Sequence, residues 1–569
     1  MKKKFNLSLM LVGGCLFTAY SIGVYAQQTP DGGVILRELE KPELEQMRLQ
    51  PEPYEIKKDK EQIKGQVFFV REFRFIGAEL FSTVELRKLL RNFVGRNIGI
   101  AELNTAVSLV ENYCAKKGYV VKVLIPEQEV KDNIVEMKII IGRLDGYNIS
   151  KKKTRFSQAI ATKILNNAQS DRKTINIVGL ERGLLLLNDL PGVKVTSSLR
   201  PSTAEGGVLV DLDIKDKPLV SSSVSYDNYG LHATGVNRGT MGLSLNDPFG
   251  IGDQINGSFV YTGLMDYESL AYSLPLGYSG MRAGLTASRL GYRLGKDFSY
   301  TNGKGNAYTV GSYVYYPLIR SREENLHLFA SINHKKFTND LFEKAVSDKK
   351  VDIGNIYINA DVFDQFFGGG YTVGGLGFTL GNLNLKGNQS DYAADQVGRK
   401  ANGCFSKLTF LVSRLQQVVA GETLLSLKVN GQVAFRNLDS SEQFSLGGPD
   451  AVRAYSYGDA SGDHGVVANF ELSQQLLRGV KISGFYDIGY VVQHYKTYPG
   501  WKTTANQKNS YALDAVGVSL GWTPSKWLAA KVSAATTATQ YNSDLKLNND
   551  FSAKIGRHSR IMLQATLAF

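Results

Sequence analysis

Cysteine, proline and long apolar runs are what this chain has least of, and each shortage excludes something. Only three cysteines occur in 569 residues, Cys15, Cys114 and Cys404. The first lies in an N-terminal leader and the others fall in different predicted domains, so a disulfide framework is excluded. No apolar run of about 18 residues follows the N-terminus, which excludes a helical membrane span and leaves a barrel as the only way to cross a bilayer. Catalytic signatures are also missing. His232, His327, His334, His464, His494 and His558 are scattered, and His-Glu-x-x-His, Gly-x-Ser-x-Gly and P-loop patterns are absent, which argues against an enzyme, a catalytic or metal centre and a nucleotide cofactor. The net charge of +13 is modest for this length, and three of the lysines sit in the leader. Such an excess fits general solubility better than nucleic-acid binding.

What the chain has in quantity is glycine (58), tyrosine (29) and phenylalanine (27) against only 14 prolines, a balance suited to many strands with aromatic girdles. Residues 1–26 read as a secretory signal: Lys2 to Lys4, an apolar stretch from Phe5 to Ile22, and small residues near Ala26. Cys15 does not make a lipoprotein site, because the apolar stretch runs on through Leu16, Phe17 and Ile22. Residues 27–66 are polar and broken by Pro30, Pro42, Pro51 and Pro53. Within them Val34 to Gln50 has short-helix character, with Leu36, Leu39 and Met47 on one face and Pro42 interrupting it.

From Val67 the pattern becomes globular. A strand to Ile76 precedes Ser82-Thr83-Val84-Glu85, a capping box opening a helix with Leu86, Leu89, Leu90 and Phe93 on one face. A second helix places Leu103, Ala106, Val107, Val110 and Cys114 together, so Cys114 reads as a small buried hydrophobe, and Gly118 ends it. Strands at Tyr119 to Pro126 and Ile134 to Gly142 follow. Residues 144–217 repeat the order strand, helix, helix, strand, strand, giving tandem α+β modules at 67–143 and 144–217.

Beyond Pro218, alternating segments of about ten residues recur between Gly, Asn and Asp turns, the pattern of a transmembrane barrel. In Val480 to Tyr490, Val480, Ile482, Tyr486, Ile488 and Tyr490 oppose Lys481, Ser483 and Asp487. Leu425 to Arg436 and the terminal Arg560 to Phe569 alternate in the same way. Polar opposite faces in segment after segment, and an abrupt end at Phe569, favour a lipid-embedded barrel over a soluble sandwich. Residues 218–569 have room for about sixteen antiparallel strands. Gly368 to Gly370 and Gly374-Gly375 lie among these strands, where turns and packing explain them.

With these features the chain resembles the transporters of two-partner secretion, within the superfamily of POTRA-bearing outer-membrane barrels. The resemblance rests on the paired modules, on the barrel entry Asp227-Asn228-Tyr229-Gly230 and Asn246 to Asp253, and on two barrel motifs. Gly447 to Tyr455, containing Val452-Arg453-Ala454-Tyr455, resembles the Val-Arg-Gly-Tyr signature of an extracellular loop that folds into the lumen. Phe485-Tyr486-Asp487-Ile488-Gly489 resembles the Phe-x-Asp-x-Gly signature of a neighbouring strand. Asp487 shares parity with the wet face, so Arg453 on the infolded loop is placed to bond it bidentately and latch the loop. Ala454 stands where the family has glycine.

The resemblance implies a Gram-negative outer-membrane translocator with two periplasmic POTRA domains. It captures a large unfolded exoprotein of the TpsA type and exports it, without cofactor, metal or nucleic acid. It further implies contact with outer-membrane lipids, insertion by the barrel-assembly machinery through a signal ending at Phe569, action as a monomer, and an N-terminal plug helix in the lumen, the position of Val34 to Gln50. Val120 to Ile125 is the candidate edge strand, with Val121, Val123 and Ile125 as its partner-binding residues and a core role as the equal alternative. The alternatives are an assembly factor of the same superfamily, which usually carries more POTRA modules, and a passive channel or receptor, which needs none.

Overall fold

The computed structural model describes residues 29–40, 67–126, 131–150, 153–169, 174–204, 206–502, 507–539 and 559–569. The expected signal at 1–26 and the part of the expected helix beyond Glu40 lie outside these residues. What remains of that helix, α1 (Gly32–Leu39), starts two residues before Val34 because Asp31 caps it, accepting from Val34 N at 3.0 Å.

The first module opens with β1 (Val67–Val70) and β2 (Glu72–Ile76), where the sequence pattern has one strand. β1 turns aside to pair with β3 (Arg96–Gly99), a strand too short and too polar to show alternation. Between them α2 (Thr83–Leu89) is capped by Ser82 as expected. Next, α3 (Ile100–Lys116) buries Leu103, Ala106, Val110 and Cys114 against Leu86, Phe73 and Met137. β4 (Val121–Leu124) and β5 (Ile134–Ile141) complete a sheet of order β2-β5-β4, parallel then antiparallel.

The second module repeats that plan. It consists of β6 (Arg143–Ile149), α4 (Gln158–Ala168), α5 (Ile177–Asn188), β7 (Val193–Pro201) and β8 (Gly207–Asp216). Its sheet order is β6-β8-β7 with the same parallel and antiparallel pairings, and its helices bury Leu165, Leu180 and Leu187. This module sits on the periplasmic turns of the barrel. Arg320 donates to both oxygens of Asp189 at 2.8 Å, Arg182 donates to the Pro317 carbonyl at 2.7 Å, and Ser157 N donates to the Gly250 carbonyl at 3.0 Å.

The barrel closes with sixteen antiparallel strands, the first Val220–Asp227 and the last Ser559–Ala568. Neighbours in sequence are neighbours in the wall, and the last strand pairs with the first over five residues, Gln564↔Asp227 to Ala568↔Ser223. Phe569 continues this seam by exchanging backbone bonds with Ser222. In the thirteenth strand, Val480–Val492, Ile482, Tyr486, Ile488 and Tyr490 are exposed to the lipid side, while Ser483, Phe485, Asp487 and Val491 are buried on the inner side. The sixth to eighth strands, Lys304–Arg320, Glu324–Leu341 and Lys344–Asp364, have 17, 18 and 21 residues. A bilayer needs only about 9–11 tilted residues, so these strands stand well above it. Trp522, Trp527, Phe366, Phe367 and Phe569 are exposed at the periplasmic rim, where an aromatic girdle belongs.

Candidate functional site

The long connection 435–463, between the eleventh strand, Thr423–Ala434, and the twelfth, His464–Leu477, folds back into the lumen. Its tip, carrying Val452 to Tyr455, meets Phe485 to Gly489 of the thirteenth strand, so the two motifs come together. Arg453 Nε and Nη2 each donate to an Asp487 oxygen at 2.8 Å, and Arg453 N adds a third bond to the same carboxylate at 3.1 Å. Asp487 is completely shielded from solvent, so this is a buried bidentate pair. Arg453 Nη1 also donates to Glu471 at 2.7 Å, and the guanidinium carbon lies 3.4 Å from the centre of the Phe485 ring. Asn469, the cross-strand partner of Asp487, donates to both Asp487 and the Ala451 carbonyl at 2.8 Å. The sequence pattern reveals neither Glu471 nor Asn469, although both lie on the wet parity of the twelfth strand.

Val452, Ala454 and Tyr455 of the tip are buried against Val467, Val491, Leu513 and Ala515. Ala454 has an ordinary negative φ, so the residue that departs from the family pattern is accommodated without backbone strain. Gly489 is required for close approach: a Cβ there would lie 2.8 Å from Leu446 and 3.2 Å from Val452. The neck of the loop is tied separately. Asp463 accepts from Leu438 N at 3.1 Å and from Tyr495 N at 2.8 Å, and Asn437 bonds to the Arg399 carbonyl at 2.7 Å, just beyond the extracellular α6 (Gln389–Val397).

Helix α1 occupies the lumen between this loop and the opposite wall. Ile35 and Leu36 are buried among Leu290, Tyr292, Phe337 and other wall residues. Both ends are held ionically. Asp31 pairs with Lys349 at 2.9 Å, and Lys349 also holds Asp439 of the infolded loop at 2.9 Å. Glu38 pairs with Arg238 at 3.0 Å, and Glu40 pairs with Lys335 at 3.0 Å. Arg37 reaches the Gln443 carbonyl, and Tyr457 donates to the Arg37 carbonyl at 2.6 Å. Gly33 is needed where helix meets loop, since a Cβ there would come within 2.9 Å of Ser441 backbone atoms. The two glycines that look like linker punctuation thus form the first turn of a docked helix. None of the wall cations was readable as a plug contact, because each is one charge among many inward-facing polar residues.

The expected edge strand behaves differently. β4 lies at the edge of its sheet, but Val123 is buried and its outward N–H is taken by Glu111 at 3.0 Å. Val121 and Ile125 are half-buried, and Tyr119 bridges to Asn176 of the second module. Phe569 is exposed at the barrel rim.

A closed barrel with a helix in its lumen, an infolded loop bonded to its wall and tandem α+β modules ahead of it has the architecture of an outer-membrane transporter. Residues 206–523 match the haemolysin secretion/activation proteins ShlB/FhaC/HecB, and residues 68–142 match the ShlB-type POTRA domain. The chain belongs to that family, and it is an outer-membrane transporter of two-partner secretion with an exoprotein as its partner. It is 27% identical over 562 residues to the heme/hemopexin transporter protein HuxB of Haemophilus influenzae, covering 94% of this chain and 96% of that protein. The outer membrane transporter CdiB of Dickeya dadantii is 22% identical, with 83% of each chain covered. Among solved structures, CdiB from Escherichia coli has the same fold, with a TM-score of 0.68 and 20% identity over 90% of this chain and 93% of that one.

Proposed function

We propose that this chain exports one large exoprotein of the TpsA type, a haemolysin or adhesin in character, through a lumen that α1 closes and the Arg453–Asp487 pair keeps in register. The observation that carries the gating reading is Lys349, which binds Asp31 of the plug and Asp439 of the infolded loop at once. Loop and plug therefore share one counter-charge, and removal of the plug changes the electrostatics of the loop. Val452, Arg453, Tyr455, Phe485, Asp487 and Gly489 form the latch. The domain plan is a cleaved signal at 1–26, plug and linker at 27–66, POTRA domains at 67–143 and 144–217, and the barrel at 218–569.

Partner capture falls more naturally on the second module than on β4. β7 is an edge strand of nine residues and is exposed from Thr196 to Pro201. It starts beside the barrel floor, so a segment added to it by strand pairing leads toward the lumen. The transporter works as a monomer among outer-membrane lipids, inserted by the barrel-assembly machinery through the strand ending at Phe569. Two POTRA domains speak against an assembly factor, and a plugged lumen speaks against a passive channel.

The test compares the surface and secreted proteins of the wild-type and deletion strains. Loss of one large exoprotein in the deletion strain, restored by the wild-type chain, supports the reading. An unchanged set of surface proteins would falsify it.

A further inference from the structure

The exit of the lumen carries a set of ties distinct from the latch and from α1. Three extracellular connections meet there: residues 385–402, the neck of the infolded loop at 435–443 with Asp463, and the segment 493–501 that follows the thirteenth strand. Leu385, Ala401 and Leu438 of this collar belong to the apolar cluster that holds Ile35 and Leu36, so the collar roofs α1 from outside. Polar bonds join its parts. Asn437 donates to the Arg399 carbonyl at 2.7 Å and to the Lys496 carbonyl at 2.9 Å, and accepts from Lys496 N at 2.8 Å. Arg399 donates to the Leu438 carbonyl at 3.4 Å. Asn509 clasps His494 by its backbone, accepting from its N at 3.1 Å and donating to its carbonyl at 2.8 Å.

The His494 ring lies among these ties without joining them. It is 9% exposed, with Tyr498 and Trp501 set edge-on at 5.0 Å and 5.8 Å between ring centres. Its Nδ1 is shut off from water and has no hydrogen-bond partner among the described residues. A protonated imidazole carries N–H on both nitrogens, so at Nδ1 the proton would face no acceptor. The charge that bears on the ring has the wrong sign as well, because it is Arg399. The other ionisable groups of the collar are engaged elsewhere. Asp463 accepts from Leu438 N and Gln443 with Oδ1 and from Tyr495 N with Oδ2, and Asp439 is held by Lys349. Lys496 lies over the Tyr495 ring at 5.6 Å, and the His464 ring lies 5.7 Å from the same tyrosine while its Nδ1 accepts from Ala434 N at 3.2 Å.

Burial, and then the Arg399 charge, push the His494 imidazole down from 6.5 to about 4. A base held below its unfolded value stabilises the closed arrangement in full above 6.5. That contribution is lost as pH falls toward about 4, by up to about tenfold in the closed-to-open ratio per pH unit. Asp463 works in the other sense: burial pushes its carboxyl up, so acid favours its place in the neck. Acid therefore acts on the segment that carries His494 and spares the loop neck.

We propose that the segment 493–501 is an acid-sensitive flap over the extracellular exit, worked by His494: it lies shut on the collar while the ring is neutral and swings out when the ring takes up a proton. The proton comes from the medium outside the cell, so no further ligand is needed. The flap belongs to the barrel itself and does not depend on which exoprotein is exported.

The experiment uses the purified full-length transporter with Cys404→Ser, so that Thr497→Cys, exposed on the flap, takes the only nitroxide spin label while the buried Cys114 does not react. Label mobility is read by electron paramagnetic resonance between pH 6.5 and about 4, in barrels that keep their heat resistance. The mobile fraction is expected to rise several-fold across that interval and to fall again when the pH is restored. His494→Gln stays neutral at every pH and is expected to abolish the rise, and Arg399→Gln, which removes the opposing charge, is expected to make it shallower. No rise in the chain that keeps His494, or the same rise with His494→Gln, overturns the flap. A rise abolished by His464→Gln and not by His494→Gln overturns it too. Should His494→Gln leave the label mobile at every pH, Arg399→Gln decides: a rise as steep as with Arg399 overturns the assignment, and a shallower one upholds it.

Discussion

At the scale of single residues, the latch is a three-body arrangement. Arg453 bonds Asp487 with two nitrogens and Glu471 with a third, so loss of either acid leaves the guanidinium one partner, whereas loss of Arg453 takes the shared cation from the buried Asp487 and the half-buried Glu471. Breaking a buried pair from one side costs about 3–5 kcal/mol. Arg453→Ala is therefore expected to reduce export more than Asp487→Ala, and the double variant is expected to be no worse than Arg453→Ala alone. Fully additive losses in a double-mutant cycle on exoprotein delivery would speak against a shared bond. Arg453→Lys keeps the charge but not the fork, and is expected to resemble Arg453→Ala. The pairing of Arg453 with Asp487 was legible because two motifs and strand parity converge on it. Glu471 was not, since a single inward acid carries no signal until the register sets the twelfth strand beside the thirteenth. Cys114 makes a separate residue-level case. Burial pushes its thiol up to about 11. A thiol pKa raised by folding stabilises the folded module below the unfolded value, near 9, and that contribution is lost as pH rises through about 11. Urea midpoints of the wild type are expected to fall over that interval more steeply than those of Cys114→Ala.

At the scale of elements, α1 shows where sequence reading reaches and where it stops. An apolar face near Leu36 was visible; the start of the helix was not, because Gly32-Gly33 reads as a breaker until Ser441 is seen to leave no room for a side chain at Gly33. The barrel was legible as a run of alternating strands, most clearly in Leu425 to Arg436, Val480 to Tyr490 and Arg560 to Phe569, since lipid outside and water inside impose a period of two. β3 was not, because four residues are too few to reveal a period. The plug contacts lead to a prediction at this scale. Lys349→Ala removes the shared partner of Asp31 and Asp439 and leaves both acids without it. In planar bilayers this variant is expected to show larger and more frequent conductance steps than the wild type, with Asp31→Asn showing a smaller effect of the same sign because the loop keeps its own contact. A conductance indistinguishable from wild type in both variants would mean that α1 does not close the lumen.

At the scale of the whole molecule, the second α+β module is fixed to the barrel through the Arg320–Asp189 fork, and the first is carried by the second through Gly142. A charge-assisted bond of this kind contributes about 1.5–3 kcal/mol. Asp189→Ala is expected to speed limited proteolysis at Lys217, at the junction with the barrel, without changing the heat resistance of the barrel itself. Membrane orientation is open to a direct check on intact cells: Cys404 is exposed at the extracellular end of the tenth strand, Gly403–Val419, and is expected to react with an impermeant maleimide while Cys114 does not. The double attachment of Lys349 has one more consequence. When α1 leaves, Lys349 loses Asp31 but keeps Asp439, and the infolded loop stays tied at tip and neck. On the gating reading proposed above, the empty seat keeps its shape and the cations that face α1, Lys349, Lys335 and Arg238, so the channel is expected to reset itself. The same helix is then expected to return to the same place once cargo has passed, so that each export event ends by restoring the barrier rather than by waiting for another protein to rebuild it.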